Sequence, residues 1–483
     1  MRDLREGLAA LGVPVYRRYL VAASANSVTV WLFQTAMSWL ILSQTGSAAA
    51  VGILFVAWTL PTLFTMIPAG VFVDRIGPRR GMLISQAITS VLFAGAAWLA
   101  WTNQLSVERA LVFAILIGAV DGFWSAPSLV MAGRIVEPRL LGSAIGLSSL
   151  TFGFGRTIGG FFGGLLVAYA GPAPALAVGA LGPAIAWVMT LTLPAVPGLE
   201  TSRKGSMRDF PDALAWMARS SNARTLLLLG MAVSMFVYSY VSLMPILTRD
   251  LLRSGPADLG LITASTGIGV IVGAFVMEGV GRAIGRGRTI ILMALIGAAA
   301  MALLAFSRSL PVSMVLAGVM ACVLIVFRTT VMALLQALAP GRMRGRILSI
   351  FEIAFWGINP VGGVLGGLLA DGVGTMQMFL VFGCCTAIAV VVAVLADRAL
   401  ARMDLDSRGH VVIGDTVYFD GRRVRDPAAS SGTARAAGAR GVAAEARAGA
   451  VADGAGTGSA DAAGGPLAAG AVVDDAFADP ARP

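Results

Sequence analysis

Runs of twenty or so apolar residues, broken by short stretches rich in arginine, glycine and proline, recur along most of the chain. A helix needs about 20 largely apolar residues to cross the hydrocarbon layer of a bilayer. Read for that length, with Gly, Pro and Arg as boundaries, the pattern predicts twelve spanning helices. They fall at roughly 19–44, 50–73, 81–101, 107–132, 140–169, 173–193, 223–248, 257–280, 288–306, 311–338, 345–370 and 375–397. Several are longer than the bilayer requires, so tilt or protrusion is expected. The first run is too long for a signal peptide and lacks a small-residue cleavage site followed by a polar chain.

Composition agrees. Hydrophobic residues make up 57% of the 483 and charged residues 13%, against about 25% charged in soluble domains. A mean hydropathy of +0.81 cannot be hidden inside a water-soluble fold, which needs a polar surface. A soluble enzyme is excluded, and a polytopic membrane protein is left. The loops on the side of the chain termini hold 22 arginines and lysines up to Arg402, against only Arg109, Arg249, Arg253 and Arg308 on the other side. This bias predicts that both termini are cytoplasmic. It also accounts for the net charge of +10 as a topology signal, with no nucleic-acid partner.

Several chemistries lack their residues. His410 is the only histidine and follows the last apolar segment, so a membrane-embedded Ser-His dyad, a His-ligated metal and a His proton relay are excluded. Lys204 is the only lysine and follows Arg203, where a P-loop needs Gly. Cys322, Cys384 and Cys385 lie in apolar runs without zinc spacing and read as small buried hydrophobes. No catalytic residue, cofactor or metal is expected.

Residues 1–198 and 223–402 each contain six spans, joined by a linker at 199–222. In the linker Phe210, Leu214 and Met217 fall at helical spacing beside Trp216, with Arg208, Asp209, Asp212 and Arg219 on the other face. This predicts a short helix lying on the membrane surface. Residues 403–483 form a tail. Alternation across 410–425, around Gly414-Asp415 and Asp420-Gly421, suggests a small hairpin, and the Ala/Gly-rich chain from Pro427 onward reads as disordered.

The two halves repeat. A shift of 203 lays Gly159-Gly160 on Gly362-Gly363 and Gly163-Gly164 on Gly366-Gly367. A shift of 208 lays Gly52 on Gly260, Ile76-Gly77 on Ile284-Gly285 and Arg80 on Arg288. Parallel repeats of this kind pack around a central cavity with the substrate site near the midplane. Glycines three and four apart clear one helix face for close packing. Pro360 ahead of the second stretch should bend its helix, so these residues serve packing, a hinge, or both.

After the second span the chain reads Gly70-Val-Phe-Val-Asp74-Arg75-Ile-Gly77-Pro-Arg79-Arg80. This stretch matches the G-x-x-x-D-R-x-G-x-R-R signature of the major facilitator superfamily, placed where that family has it. Thr45-Gly46-Ser47 with Val51-Gly52, Pro61 and the Pro340-Gly-Arg342-Met-Arg344-Gly345-Arg346 stretch narrow the resemblance to the branch of enterobactin exporters and macrolide-efflux-type proteins. It covers about 15–398 and none of the tail. The resemblance implies an all-α fold of twelve transmembrane helices in two pseudo-symmetric halves. It also implies a conformational switch at Gly70, Asp74, Arg75, Gly77, Arg79 and Arg80, in which the Asp74 carboxylate meets a helix N-terminus in one conformation only. Two departures stand out: the fifth span lacks the antiporter proline, and Arg282 occupies the second-half position of Asp74.

Ionisable residues inside the membrane are costly and are functional hypotheses by default. Asp121, Arg156, Arg328 and Glu352 qualify, while Glu278 can snorkel. Asp121 and Arg156 differ in depth by roughly 6 Å, which an arginine can bridge, and Arg328 and Glu352 match more closely, which suggests two buried pairs, either structural or functional. The resemblance implies a cavity lined by the first, fourth, seventh and tenth spans. Candidate lining residues are Asn26, Trp31, Gln34, Asp121, Trp124, Tyr238, Tyr240 and Arg328. The expected function is proton-coupled export of a small amphipathic molecule (a drug, siderophore or secondary metabolite) by a monomer in the cell membrane. Uptake by the same fold, or a non-transporting sensor or scaffold using the tail as its output, are the alternatives.

Overall fold

A computed structural model of the chain describes residues 9–195, 210–405, 411–413, 416–419 and 422–425. Twelve long helical segments run Pro14–Thr45, Ala48–Ile76, Pro78–Trp101, Val107–Arg134, Leu141–Ala170, Pro172–Leu191, Ser221–Leu251, Pro256–Ile284, Arg286–Leu304, Leu310–Leu338, Arg344–Val373 and Thr375–Ala396. Among the described residues, eleven helices are long and apolar enough to cross a membrane. The first is as long but more polar, because it buries Asn26, Thr29, Thr35 and Ser38 inside the bundle. Large apolar side chains such as Phe64, Val91, Phe275 and Leu395 are exposed around the outside, where lipid takes the place of water. Trp98, Trp101 and Tyr169 are exposed near the end opposite the arginine-rich loops, as aromatic residues at a membrane interface are.

Local sequence sets the boundaries. Ser47, Ser106 and Ser220 each cap a helix by accepting from the backbone N–H three residues on, which satisfies a donor the helix leaves free. Pro14, Pro78, Pro172 and Pro256 stand in the first turn of their helices, where no N–H is needed. Gly77 and Gly285 join consecutive spans at φ +83° and +84°, a region that favours glycine.

The halves meet through two helix pairs, the second span against the eleventh and the fifth against the eighth. Repeat-related glycines pack crosswise in these pairs. A Cβ added to Gly52 would lie 2.6 Å from the Gly363 carbonyl oxygen, and one on Gly260 would lie 2.9 Å from the Gly160 oxygen and from Gly164 Cα. Gly367 packs on Ala48-Ala49. At the arginine-rich ends of the same helices, Gly146, Gly279 and Gly345 meet no atom within 4 Å. Among the described residues, the two helix pairs are therefore in backbone contact at one end, while the glycines at the other end meet no neighbour.

The linker helix is Phe210–Arg219, while residues 199–209 lie outside the described residues. Met217 and Ala213 are buried and Phe210 and Leu214 exposed. Met217 thus turns to the protein rather than sharing a membrane face with the other two, because the helix packs beneath the seventh and eleventh spans. The tail forms an antiparallel sheet in the order β1 (Met403–Leu405), β2 (Val411–Ile413), β3 (Thr416–Phe419) and β4 (Arg422–Arg425). Met403 and Val411 are buried, and Asp404 Oδ1 accepts from the Arg286 N–H at 3.3 Å, capping the ninth span. The strands thus belong to the helical body. His410 and the chain from Asp426 onward lie outside the described residues.

Candidate functional site

Between the halves lies a chamber of about 400 Å³, which shares Phe152, Tyr238 and Trp356 as lining residues with a second of about 270 Å³. Of the expected lining residues, Trp31, Gln34, Asp121 and Tyr238 line the larger, and Tyr238, Tyr240 and Arg328 the smaller. Asn26 is buried outside this lining. Trp124 packs into an apolar cluster with Tyr16, Tyr19, Met82 and Met131, because it sits about 60° around the fourth helix from Asp121. The walls are not confined to the first, fourth, seventh and tenth spans. The second contributes Phe55, Trp58 and Thr62, the fifth Phe152 and Arg156, and the eleventh Glu352, Trp356 and Asn359. The signal in the sequence was Trp356 one helical turn after Glu352.

The expected Arg328–Glu352 pair forms, with Nη2 to Oε1 at 2.7 Å. The other carboxylate oxygen accepts from the Trp356 indole N–H at 2.8 Å, so both oxygens of Glu352 are engaged. The expected Asp121–Arg156 pair does not form. Arg156 is 2% exposed and donates through Nη2 to Tyr240 Oη at 2.9 Å. Its guanidinium carbon lies 4.4 Å from the Trp31 ring centroid and 5.5 Å from that of Tyr240. Ring contacts of this kind stabilise a cation partly stripped of water. Gly155 and Gly159 bring the fifth span onto the backbone of the first, which encloses Arg156 beside Trp31. Asp121 stays on the wall of the larger chamber with Trp58 and Ser125, and among the described residues it has no ion pair.

Tyr238 and Tyr240 are two residues apart, a spacing that in a regular helix turns side chains to different sides. Both reach the chamber because Ser234–Tyr238 is π-helical and Ser239 breaks the regular turn. Their rings stand 6.3 Å apart, and Tyr238 lies 5.1 Å from Trp356. A second π-helical segment, Leu247–Leu251, follows Pro245. Such bulges mark helices carrying function more often than plain ones.

In the loop motif, Gly77 makes the positive-φ turn described above. Arg79 donates to the carbonyls of Thr190 at 3.3 Å and Leu191 at 2.5 Å, completing the C-terminus of the sixth span. Arg75 is exposed. The side chain of Asp74 lies outside the described residues, as do Gly70 and the side chain of Glu278. The packing glycines fall at the closed end. Gly159 and Gly163 lie on the first span, Gly160 and Gly164 on the eighth, Gly362 and Gly366 on the seventh, Gly367 on the second, and Gly363 between Ser242 of the seventh and Gly52 of the second.

Comparison with known proteins agrees with this architecture. A family model described as transmembrane secretion effector matches residues 5–415, including the first two strands of the tail, which the sequence resemblance had left out. The chain is 27% identical over 401 residues to the multidrug efflux pump Tap of Mycolicibacterium fortuitum, covering 80% of this chain and 96% of that one. It is 26% identical over 375 residues to the enterobactin exporter EntS of Escherichia coli O1:K1 / APEC, covering 75% and 86%. Among solved structures it resembles an inward-facing, unoccupied bacterial homologue of the human lysosomal transporter Spinster, with a TM-score of 0.64 at 16% identity, covering 80% of this chain and 97% of that one. The nucleoside transporter NupG gives 0.60 at 13%, covering 79% and 99%. With twelve helices, crosswise glycine packing and the loop motif in place, the chain belongs to the transmembrane secretion effector family and is a major facilitator transporter.

Proposed function

We propose that the protein exports small molecules across the cell membrane by alternating access, driven by protons. The observation that carries this reading is an asymmetry among the described residues: glycine-to-glycine contact between the halves at one end, glycines without a neighbour at the arginine-rich end, and a chamber between. The arginine-rich end faces the cytoplasm on the positive-inside rule, so this conformation loads from the cytoplasm. Similarity to the pumps Tap and EntS supports outward transport. For the proton, Asp121 has no ion pair among the described residues and lies on the chamber wall. A carboxyl there can trade its proton as its surroundings change between conformers. The loop motif serves as the cytoplasmic latch of the opposite conformer.

The test is efflux in proteoliposomes with an imposed pH gradient, after a susceptibility panel in strains with and without the gene has named a substrate. Accumulation that follows the gradient and reverses with it is expected. Accumulation indifferent to the gradient would end the proton claim, and no movement of any compound at all would favour a sensor.

A further inference from the structure

The smaller chamber has an unusual charge balance. Its walls carry the two guanidinium groups of Arg156 and Arg328 and the phenols of Tyr238 and Tyr240, but no carboxylate. Arg328 is neutralised from next door by Glu352. Arg156 is not: among the described residues it has no carboxylate partner, and it is met instead by the phenols of Tyr240 and Tyr238 and by the ring faces of Trp31 and Tyr240. An enclosed cation without a counter-charge is costly. The Nε atoms of both arginines are also buried with no hydrogen-bond partner. The residues Arg156 and Arg328, one of them without a counter-charge, thus line an aromatic cavity of about 270 Å³, with both Nε donors still unsatisfied just behind its wall.

We propose that this chamber binds an organic monoanion with a flat aromatic body, its anionic group supplying the charge that Arg156 lacks. This deepens the transporter reading above and rests on it. A carboxylate or sulfonate accepts from guanidinium donors through charge-assisted hydrogen bonds. The ring system lies against Tyr238 and Trp356, which already meet edge to face at 82°. A cationic ligand would add to the positive charge of the site, and a neutral one would leave Arg156 uncompensated. Arg328 with Glu352 acts as a fixed dipole that aims the second donor without changing the net charge.

The test uses three ligands with one ring system and three charges: 2-naphthoate, 2-naphthalenemethanol and 2-naphthylmethylammonium. Binding to the purified full chain in phosphatidylcholine nanodiscs is measured by calorimetry, with empty nanodiscs as the partition control. Naphthoate is expected to bind at least tenfold more tightly than either of the others. Arg156→Gln should abolish that preference, and Arg156→Lys should keep part of it. Equal or tighter binding of the alcohol or the ammonium overturns the proposal, as does naphthoate binding unchanged in Arg156→Gln. The wild-type ranking decides by itself if Arg156→Gln does not fold. Counterflow in proteoliposomes separates the two readings. Ammonium bound more tightly and still transported removes the anion assignment and leaves transport. Naphthoate bound with the expected ranking but not moved leaves the binding assignment and removes transport of this class.

Discussion

Asp371, near the end of the eleventh span, caps the start of the second through Ser47: its Oδ2 accepts from Ser47 Oγ at 2.7 Å. The same carboxylate accepts from the backbone N–H of Ala48 at 2.8 Å and of Ala49 at 3.0 Å. A negative charge at a helix N-terminus is favourable both by hydrogen bonding and by the helix dipole. Here the two helices belong to opposite halves, so the cap also ties the closed end. Arg249, from the seventh span, donates to the Gly46 carbonyl at 2.7 Å beside it.

Asp371→Ala should therefore loosen the closed end without unfolding the protein. The site is exposed, so solvent screening holds the loss to about 1 kcal/mol, a roughly fivefold shift between conformers. The reporter is a cysteine at Gln34 in a background with Cys322, Cys384 and Cys385 changed to serine. It is labelled from outside by a membrane-impermeant maleimide. Labelling should speed up about fivefold, and an unchanged rate would assign the seal to glycine packing alone.

Asp74→Asn should move the same reporter the other way. Asp74 lies in the last turn of the second span, at the opposite end of the helix pair that Asp371 ties. Loss of a latch there, worth about 1–2 kcal/mol, shifts the ratio some 5- to 30-fold toward the conformer described above and impairs transport at equal expression. The Asp74→Asn/Asp371→Ala double variant should fall between the singles. Normal transport by Asp74→Asn would reduce the motif to turn geometry and the Arg79 cap.

Gly52→Val should block transport, because an added Cβ meets the Gly363 carbonyl at 2.6 Å and the halves cannot close at that end. Gly345→Ala, where nothing lies within 4 Å, should leave expression and melting temperature unchanged. Transport by Gly52→Val at the wild-type rate would show that the contact is not needed in the cycle.

Arg328→Gln and Glu352→Gln should each lower expression, since a lone enclosed charge costs about 3–5 kcal/mol, while the double variant should recover it. Asp121→Asn behaves differently because Arg156 is held by Tyr240 and Trp31 rather than by Asp121. It should fold normally alone and lose only proton-driven accumulation, with downhill exchange intact. Full gradient-driven accumulation by Asp121→Asn would assign coupling to another group.

The sequence by itself determined the helices, their ends and the internal repeat. Twenty apolar residues have one way to cross a bilayer, and Gly77-Pro78 or Ser47 stop and start helices through local backbone chemistry. It also supplied the Arg328–Glu352 pair, because two residues equally far from one turn on adjacent antiparallel helices lie at one depth. Depth was not enough for Asp121 and Arg156, which lie on different walls: helix rotation and packing decided that Arg156 faces Trp31 and Tyr240. Tyr238 and Tyr240 share a chamber only because the backbone between them leaves the regular helix, which periodicity does not register. The repeat announced that Gly52 and Gly260 are equivalent. Only the tertiary structure decided that each packs on the glycines of the other half, because two halves related by a pseudo-twofold bring the second span to the eleventh and the fifth to the eighth.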